Sequence, residues 1–333
     1  MTDFVSILCP TLNEEKYISK CIDSILAQDY PAEKWELLLI DGGSTDKTCE
    51  IIDEYAKHHK NIHRHANPRQ VAPSAINIGI PLAQGEFIVR IDAHADYPTN
   101  YVSTLINAIK TLPDAQNVGG CWKTLPANET LRAKAIAIAC SHPLGVGNAD
   151  YRINESDEVR VVDTVPFGCW RKAWFDKVGL LDETLARAED DEFNARTQLN
   201  GGKIYLIPTI QINYYARDAI SKMGRMFYQY GLYKPLVSRK LGKPATLRQF
   251  APPLFILFVL SAAFIWLLPV WLIAAYAAVW FFYWMAILIV SIQKHNLWCL
   301  ITFFVTHLSY GIGYWAGIFA IITHKQLTVT STR

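Results

Sequence analysis

The sequence predicts an α/β domain, a Rossmann-like, mostly parallel sheet with flanking helices, followed by a C-terminal transmembrane helical segment. Two observations carry this. Short apolar runs alternate with helix-patterned stretches in the N-terminal part, and charge disappears near the C-terminus. From 251 to 293 there is no Asp, Glu, Lys, Arg or His, and 296–323 holds only His307. A crossing takes about 20 apolar residues. Three spans are therefore expected, near 252–268, 269–292 and 297–322, with Pro269 at the first turn.

The elements follow in order. Residues 4–9 form an apolar run ending at Pro10, and 35–40 form a second, closed by Asp41-Gly42-Gly43-Ser44-Thr45-Asp46. Between them, Ile18, Cys21, Ile22, Ile25 and Leu26 share one helical face. A helix is expected from Thr48 to about His58, a strand over 61–65, a helix over 73–82 and a fourth strand over 86–91. This repeated strand–helix alternation argues for a parallel sheet covered by helices. Such sheets bind ligands at the carboxyl ends of their strands, where Thr11–Glu14, Asp41–Asp46 and Asp92–Asp96 all fall. Beyond Thr99 the pattern predicts helices over 101–111, 131–139, 171–178 and 190–200, and strands over 118–123, 159–165 and 203–207. The Gly- and Asn-containing stretch 141–158 reads as a mobile loop.

The domains expected are 1–215 as the α/β unit, 216–250 as a basic amphipathic segment at the membrane interface, 251–323 as the spans and 324–333 as a short tail. Arg217, Lys222, Arg225, Lys234, Arg239, Lys240, Lys243 and Arg248 precede the first span against Asp218 alone. That is a positive-inside pattern suited to an anionic leaflet. No basic, apolar leader opens the chain, so the first 215 residues are expected in the cytoplasm and the protein in the inner (plasma) membrane. A net charge of +2 makes no case for nucleic acid. The seven cysteines lack CxxC spacing and read as scattered reduced thiols.

Three clusters can carry chemistry, and each has a plainer reading. In Asp92-Ala93-His94 a carboxylate and an imidazole could meet one divalent ion, or simply close a turn. In Glu189-Asp190-Asp191-Glu192 one acid could act as a general base, or all could favour a helix N-terminus. Asp41 could contact a nucleoside or belong to an ordinary turn. The loop after it has neither GxGxxG nor GK[ST], which weakens an oxidoreductase or P-loop reading.

Taken in order, residues 5–15 (VSILCPTLNEE), 39–46 (LIDGGSTD), Asp92-Ala93-His94, Gly168-Cys169-Trp170-Arg171 and Glu189-Asp190-Asp191-Glu192 resemble the successive signatures of the family 2 glycosyltransferases. The DAHADYP wording and the C-terminal spans are most similar to membrane transferases of succinoglycan-type exopolysaccharide assembly. The resemblance implies a GT-A fold, a nucleotide-sugar donor, UDP-linked by expectation, and inversion at the anomeric carbon. It places Pro10, Thr11 and Glu14 in the nucleoside pocket and Asp41 at the base. Asp92 would meet ribose or metal, His94 would bind Mn²⁺ or Mg²⁺ where the family usually has a second Asp, and Asp190 would deprotonate the acceptor. Gly168, Trp170 and Glu189 fall on the acceptor side. The family's frequent Ala-Arg-Asn reads Ser74-Ala75-Ile76-Asn77 here, leaving Arg69 or Arg90 to supply the arginine on the donor side.

A lipid-linked saccharide suits an enzyme tied to the bilayer. The QxxRW motif of the family's processive synthases is absent from the comparable region 227–233, which favours single additions. Gly313 and Gly317 could pack helices between copies in a homo-oligomer or, preferably, within one chain, and His307 could face a lipid phosphate or, preferably, a neighbouring helix. The competing readings are a polyprenyl-phosphate sugar synthase, which needs no general base, and a non-catalytic membrane assembly partner.

Overall fold

A computed structural model describes residues 3–153, 156–244, 246–325 and 327. The chain divides into two compact units, one of residues 3–123 with 156–214 and the other of 124–153 with 215–327. Most of the expected tail lies outside the described residues.

The first unit is built on a sheet of β1 (Val5–Thr11), β2 (Trp35–Asp41), β3 (Ile62–Ala66), β4 (Phe87–Arg90), β5 (Ala95–Asp96), β6 (Ala115–Leu125), β7 (Arg160–Val161), β8 (Cys169–Arg171) and β9 (Lys203–Tyr215). Their spatial order is β3-β2-β1-β4-β8-β6-β9-β5, with β7 beside β9. β3, β2, β1 and β4 are parallel, whereas β8 runs antiparallel to both β4 and β6, and β5 antiparallel to β9. This is a mixed sheet whose parallel half is the one the strand–helix alternation predicts.

β1 and β2 are apolar almost throughout because both faces are covered. Ile7, Leu37 and Leu39 pack with Ile18, Ile22 and Ile25 of the helix Ile18–Leu26. Leu8, Leu38 and Ile40 point the other way, towards Ala75, Ile76, Trp170 and Phe193. The buried Glu36 in β2 is satisfied by Ser6 Oγ at 2.6 Å and the Gln84 N–H at 2.7 Å.

Three expectations are corrected. The stretch 141–158 is not simply a loop: it holds short helices Pro143–Val146 and Asp150–Ile153, the first capped by His142 Nδ1, which accepts from Leu144 N at 3.1 Å. The strand expected over 159–165 shrinks to β7, and that expected over 203–207 extends to Tyr215, because β9 lies beside β6 and also pairs with β7 near its start and β5 near its end.

The second unit is helical. Leu131–Ser141 and the long helix Ile220–Leu241 accompany Ala251–Ser261, Val270–Gln293 and Trp298–Ile322. Three helical stretches, Leu247–Leu267, Val270–Gln293 and Trp298–Ile322, are long and apolar enough to cross a membrane. His307 is held inside this unit: its ring nitrogens meet Tyr283 Oη at 3.0 Å and Leu144 O at 2.7 Å. Gly313 and Gly317 likewise pack within the chain, against Tyr228 and Leu232.

Candidate active site

The carboxyl ends of β1 and β2 are stitched together. Thr11 and Asp41 stand opposite each other in register, both buried. Asn13, held at φ +55°, donates from its backbone to Ser44 Oγ at 2.8 Å and accepts from Thr45 N through Oδ1 at 2.8 Å. Glu14 N donates to Thr48 Oγ1 at 2.7 Å. Asp41 closes its own turn, taking Gly43 N at 2.8 Å, Ser44 N at 3.0 Å and Ser44 Oγ at 2.5 Å. Pro10, Thr11, Glu14 and Asp41 are thus gathered on one wall, and Asp41 serves the turn whatever else it binds.

The Asp92–Asp96 turn follows β4. Tyr97 Oη accepts from Asp92 N at 2.7 Å and donates to Asp92 O at 3.3 Å. Burial keeps the Tyr97 phenol well above its ordinary pKa, so the donated proton stays in place. The His94 ring sits 5.8 Å from that of Tyr214 on β9, and its Nδ1 lies 3.6 Å from Glu14 Oε1. Asp96 is turned to Lys20 at 2.5 Å and away from a ligand role.

Arg90 joins this turn to the acidic helix Glu189–Leu199. Its Nη1 donates to Glu189 Oε1 at 3.1 Å and its Nη2 lies 3.6 Å from Asp92 Oδ1, while its Nε is buried with no hydrogen-bond partner among the described residues. Burial works against the Arg90 charge, but Asp92, Glu189 and Asp190 outweigh it and hold the guanidinium protonated. The four acids then separate in role. Glu192 pairs with Arg196 one turn on, at 2.8 Å, and Glu189 is committed to Arg90. Asp190 caps Asp191 N at 2.9 Å. Burial pushes its carboxyl up to about 7, with Asp191 and Glu189 adding to the rise and Arg90 opposing it.

The remaining expected positions are structural neighbours. Gly168 adopts φ +92° and its carbonyl accepts from Arg90 N at 3.0 Å. A Cβ there would fall 2.4 Å from Asn117 Oδ1, so glycine is required. Trp170 is buried in the core, edge-on to Phe175 and Phe193, and has no open face for an acceptor. Arg69 is exposed and pairs with Glu183, which also takes Asn77 Nδ2 at 2.9 Å. Sequence reasoning missed Tyr97, Glu183 and Tyr214. Only Tyr97 lay near a motif, whereas Tyr214 reaches the site through a strand pairing that no local pattern signals.

Among the described residues no three His, Cys, Asp or Glu side chains are gathered to hold a metal ion. Asp92 and His94 would supply two donors from one turn, a hard oxygen and an imidazole, a pair whose chemistry suits a divalent ion.

The sequence profile of glycosyl transferase family 2 matches residues 6–174, more than half of the chain. The chain belongs to glycosyltransferase family 2. This family 2 glycosyltransferase is 34% identical over 72% of its length to a dolichyl N-acetyl-α-D-glucosaminyl phosphate 3-β-D-2,3-diacetamido-2,3-dideoxy-β-D-glucuronosyltransferase of Methanococcus voltae, covering 75% of that protein. It is 27% identical to the succinoglycan biosynthesis protein ExoA of Rhizobium meliloti, over 93% of both chains. The crystal structure of S. aureus TarS resembles it with a TM-score of 0.50 at 18% identity, over 69% of this glycosyltransferase and 40% of TarS, a likeness of GT-A-like fold.

Proposed function

We propose that this glycosyltransferase moves a sugar from a UDP-linked donor to a lipid-linked saccharide at the cytoplasmic face of the plasma membrane, with inversion at the anomeric carbon. The observation that carries the reading is Asp190, a half-buried carboxyl lifted to about 7 beside the fixed Arg90–Glu189 pair. A base near neutral pH can take the acceptor hydroxyl proton as the oxygen attacks, and a carboxyl at its ordinary value would be a weaker one. The name of the dolichyl-phosphate-sugar transferase supports a lipid-linked acceptor, that of the succinoglycan protein supports a place in exopolysaccharide biosynthesis, and the apolar helices support a membrane setting.

The donor would lie against the joined β1 and β2 loops, with Pro10, Thr11 and Glu14 along the nucleoside and Asp41 bracing the turn it meets. Asp92 and His94 would hold a divalent ion, which when bound offsets the charge of the departing diphosphate. Arg90 orients Glu189 and Asp92 at once, and its buried Nε offers one more donor towards an anionic ligand. Purified protein incubated with a panel of nucleotide sugars tests the reading through UDP or GDP release, with and without Mn²⁺. UDP release that depends on both a membrane-lipid acceptor and the metal is expected. No release or binding with any donor points instead to a non-catalytic assembly partner.

A further inference from the structure

The three apolar helical stretches differ in their surroundings. In Leu247–Leu267 and Val270–Gln293 only 11% of the most apolar window is buried, against 33% in Trp298–Ile322. In the third helix the exposed large residues Trp298, Ile301, Ile312, Trp315, Phe319 and Ile322 recur at helical spacing and form one stripe.

The opposite face is covered by protein that carries charge. Asn296 Nδ2 donates to Leu131 O at 2.6 Å and Thr302 Oγ1 to Ala135 O at 3.3 Å, seating the start of the helix on Leu131–Ser141, where Arg132 is exposed. Farther along, glycines bring Ile220–Leu241 into backbone contact. A Cβ at Gly313 would fall 2.1 Å from Tyr228 O, one at Gly317 2.3 Å from Leu232 O, and one at Gly224 3.1 Å from Ser309 Oγ. Residue numbers rise together across these contacts, so the two helices run parallel and side by side. Lys222, which pairs with Asp218 at 2.9 Å, and Arg225 are exposed and stand level with the middle of Trp298–Ile322. If that helix crossed the bilayer, both cations would face hydrocarbon at mid-depth, where charge is strongly disfavoured. At the headgroups of an anionic leaflet the same cations are favoured.

The first two stretches behave differently. Arg248 Nη1, at the start of the first, donates to Asn148 O at 2.5 Å, and Asn296, after the second, returns to Leu131. Tyr276 Oη donates to Phe258 O at 2.9 Å and Phe255 stacks on Tyr283 at 4.9 Å, so the two pair as an antiparallel hairpin closed at Leu268-Pro269.

We infer that only this hairpin, residues 247–293, crosses the membrane, and that Trp298–Ile322 lies in the plane of an anionic leaflet surface. Its apolar stripe enters the acyl boundary, and Ile220–Leu241 backs it with Lys222, Arg225, Arg239 and Lys240 at headgroup level. Two crossings replace the three that length alone suggests, and residues 324–325 return to the side from which 246 enters.

Variants of the full chain that each add one cysteine to the seven native ones, in right-side-out and inside-out vesicles, test this with a membrane-impermeant maleimide, wild type giving the background. Arg225→Cys and His324→Cys are expected to react from the same side as Arg132→Cys, and Leu268→Cys only from the other. His324→Cys reacting only from the Leu268 side, Arg225→Cys unreactive until detergent is added, or Leu268→Cys reacting from the Arg132 side would each overturn the inference.

Discussion

Arg90 Nη1 donates to Glu189 Oε1 at 3.1 Å, joining the end of β4 to the acidic helix across 99 residues of sequence. Both groups are buried, so each needs the other's charge. Replacing Arg90 by Met leaves Glu189 as an uncompensated buried carboxylate beside Asp92 and Asp190. The expected loss is about 3–5 kcal/mol of stability, read as a lower urea midpoint at pH 7.5 or so. Arg90→Lys should recover part of it, because an ammonium restores the charge and not the forked geometry.

The Asp190 carboxyl, pushed up to about 7, sets a pH profile. Only its deprotonated form can act as base, so kcat/KM should fall about tenfold per unit as pH drops below that value and level off above it. The sign for stability is opposite. A folded pKa raised from 3.8 means that the native state holds a proton the unfolded chain has released, so stability declines as pH rises from 3.8 to about 7. Asp190→Asn should therefore melt higher than wild type at pH above about 7, with the gap closing towards pH 4 or so, as calorimetry would show.

His94→Ala should remove metal-stimulated turnover while leaving the fold intact, since the ring is only half-buried and the turn itself is tied by Tyr97. The check is UDP release with and without Mn²⁺, alongside the melting temperature. Unchanged stimulation by metal would remove His94 from the ligand set.

Gly313→Ala is expected to be costly out of proportion to one methyl group. Its Cβ would fall 2.1 Å from a backbone oxygen, which no rotamer change relieves. Overpacking of this kind costs about 1–3 kcal/mol or more and should lower thermal stability in detergent.

The parallel half of the sheet was legible because both-face burial writes itself as unbroken apolar runs, as in Leu37-Leu38-Leu39-Ile40. The strand-end clusters were legible for a related reason, since polar residues crowd only where those runs stop. Antiparallel β8 and the long β9 were less so: their partners are distant in sequence, and Cys169-Trp170-Arg171 alone carries no period. Within the candidate site, motifs marked Asp92, His94 and Asp190 as candidates, but not the division of partners among four adjacent acids. That division depends on Arg90 and Arg196, each reaching one of them through space.

The central claim is that Asp190 is the base for an acceptor hydroxyl, and Asp190→Asn tests it most directly. Transfer from the donor to a lipid-linked saccharide should fall by about 10²–10⁴-fold. Donor binding by isothermal titration should persist and the melting temperature should not drop. Turnover within a few fold of wild type would contradict the account and point to an acceptor already ionised, such as a lipid phosphate.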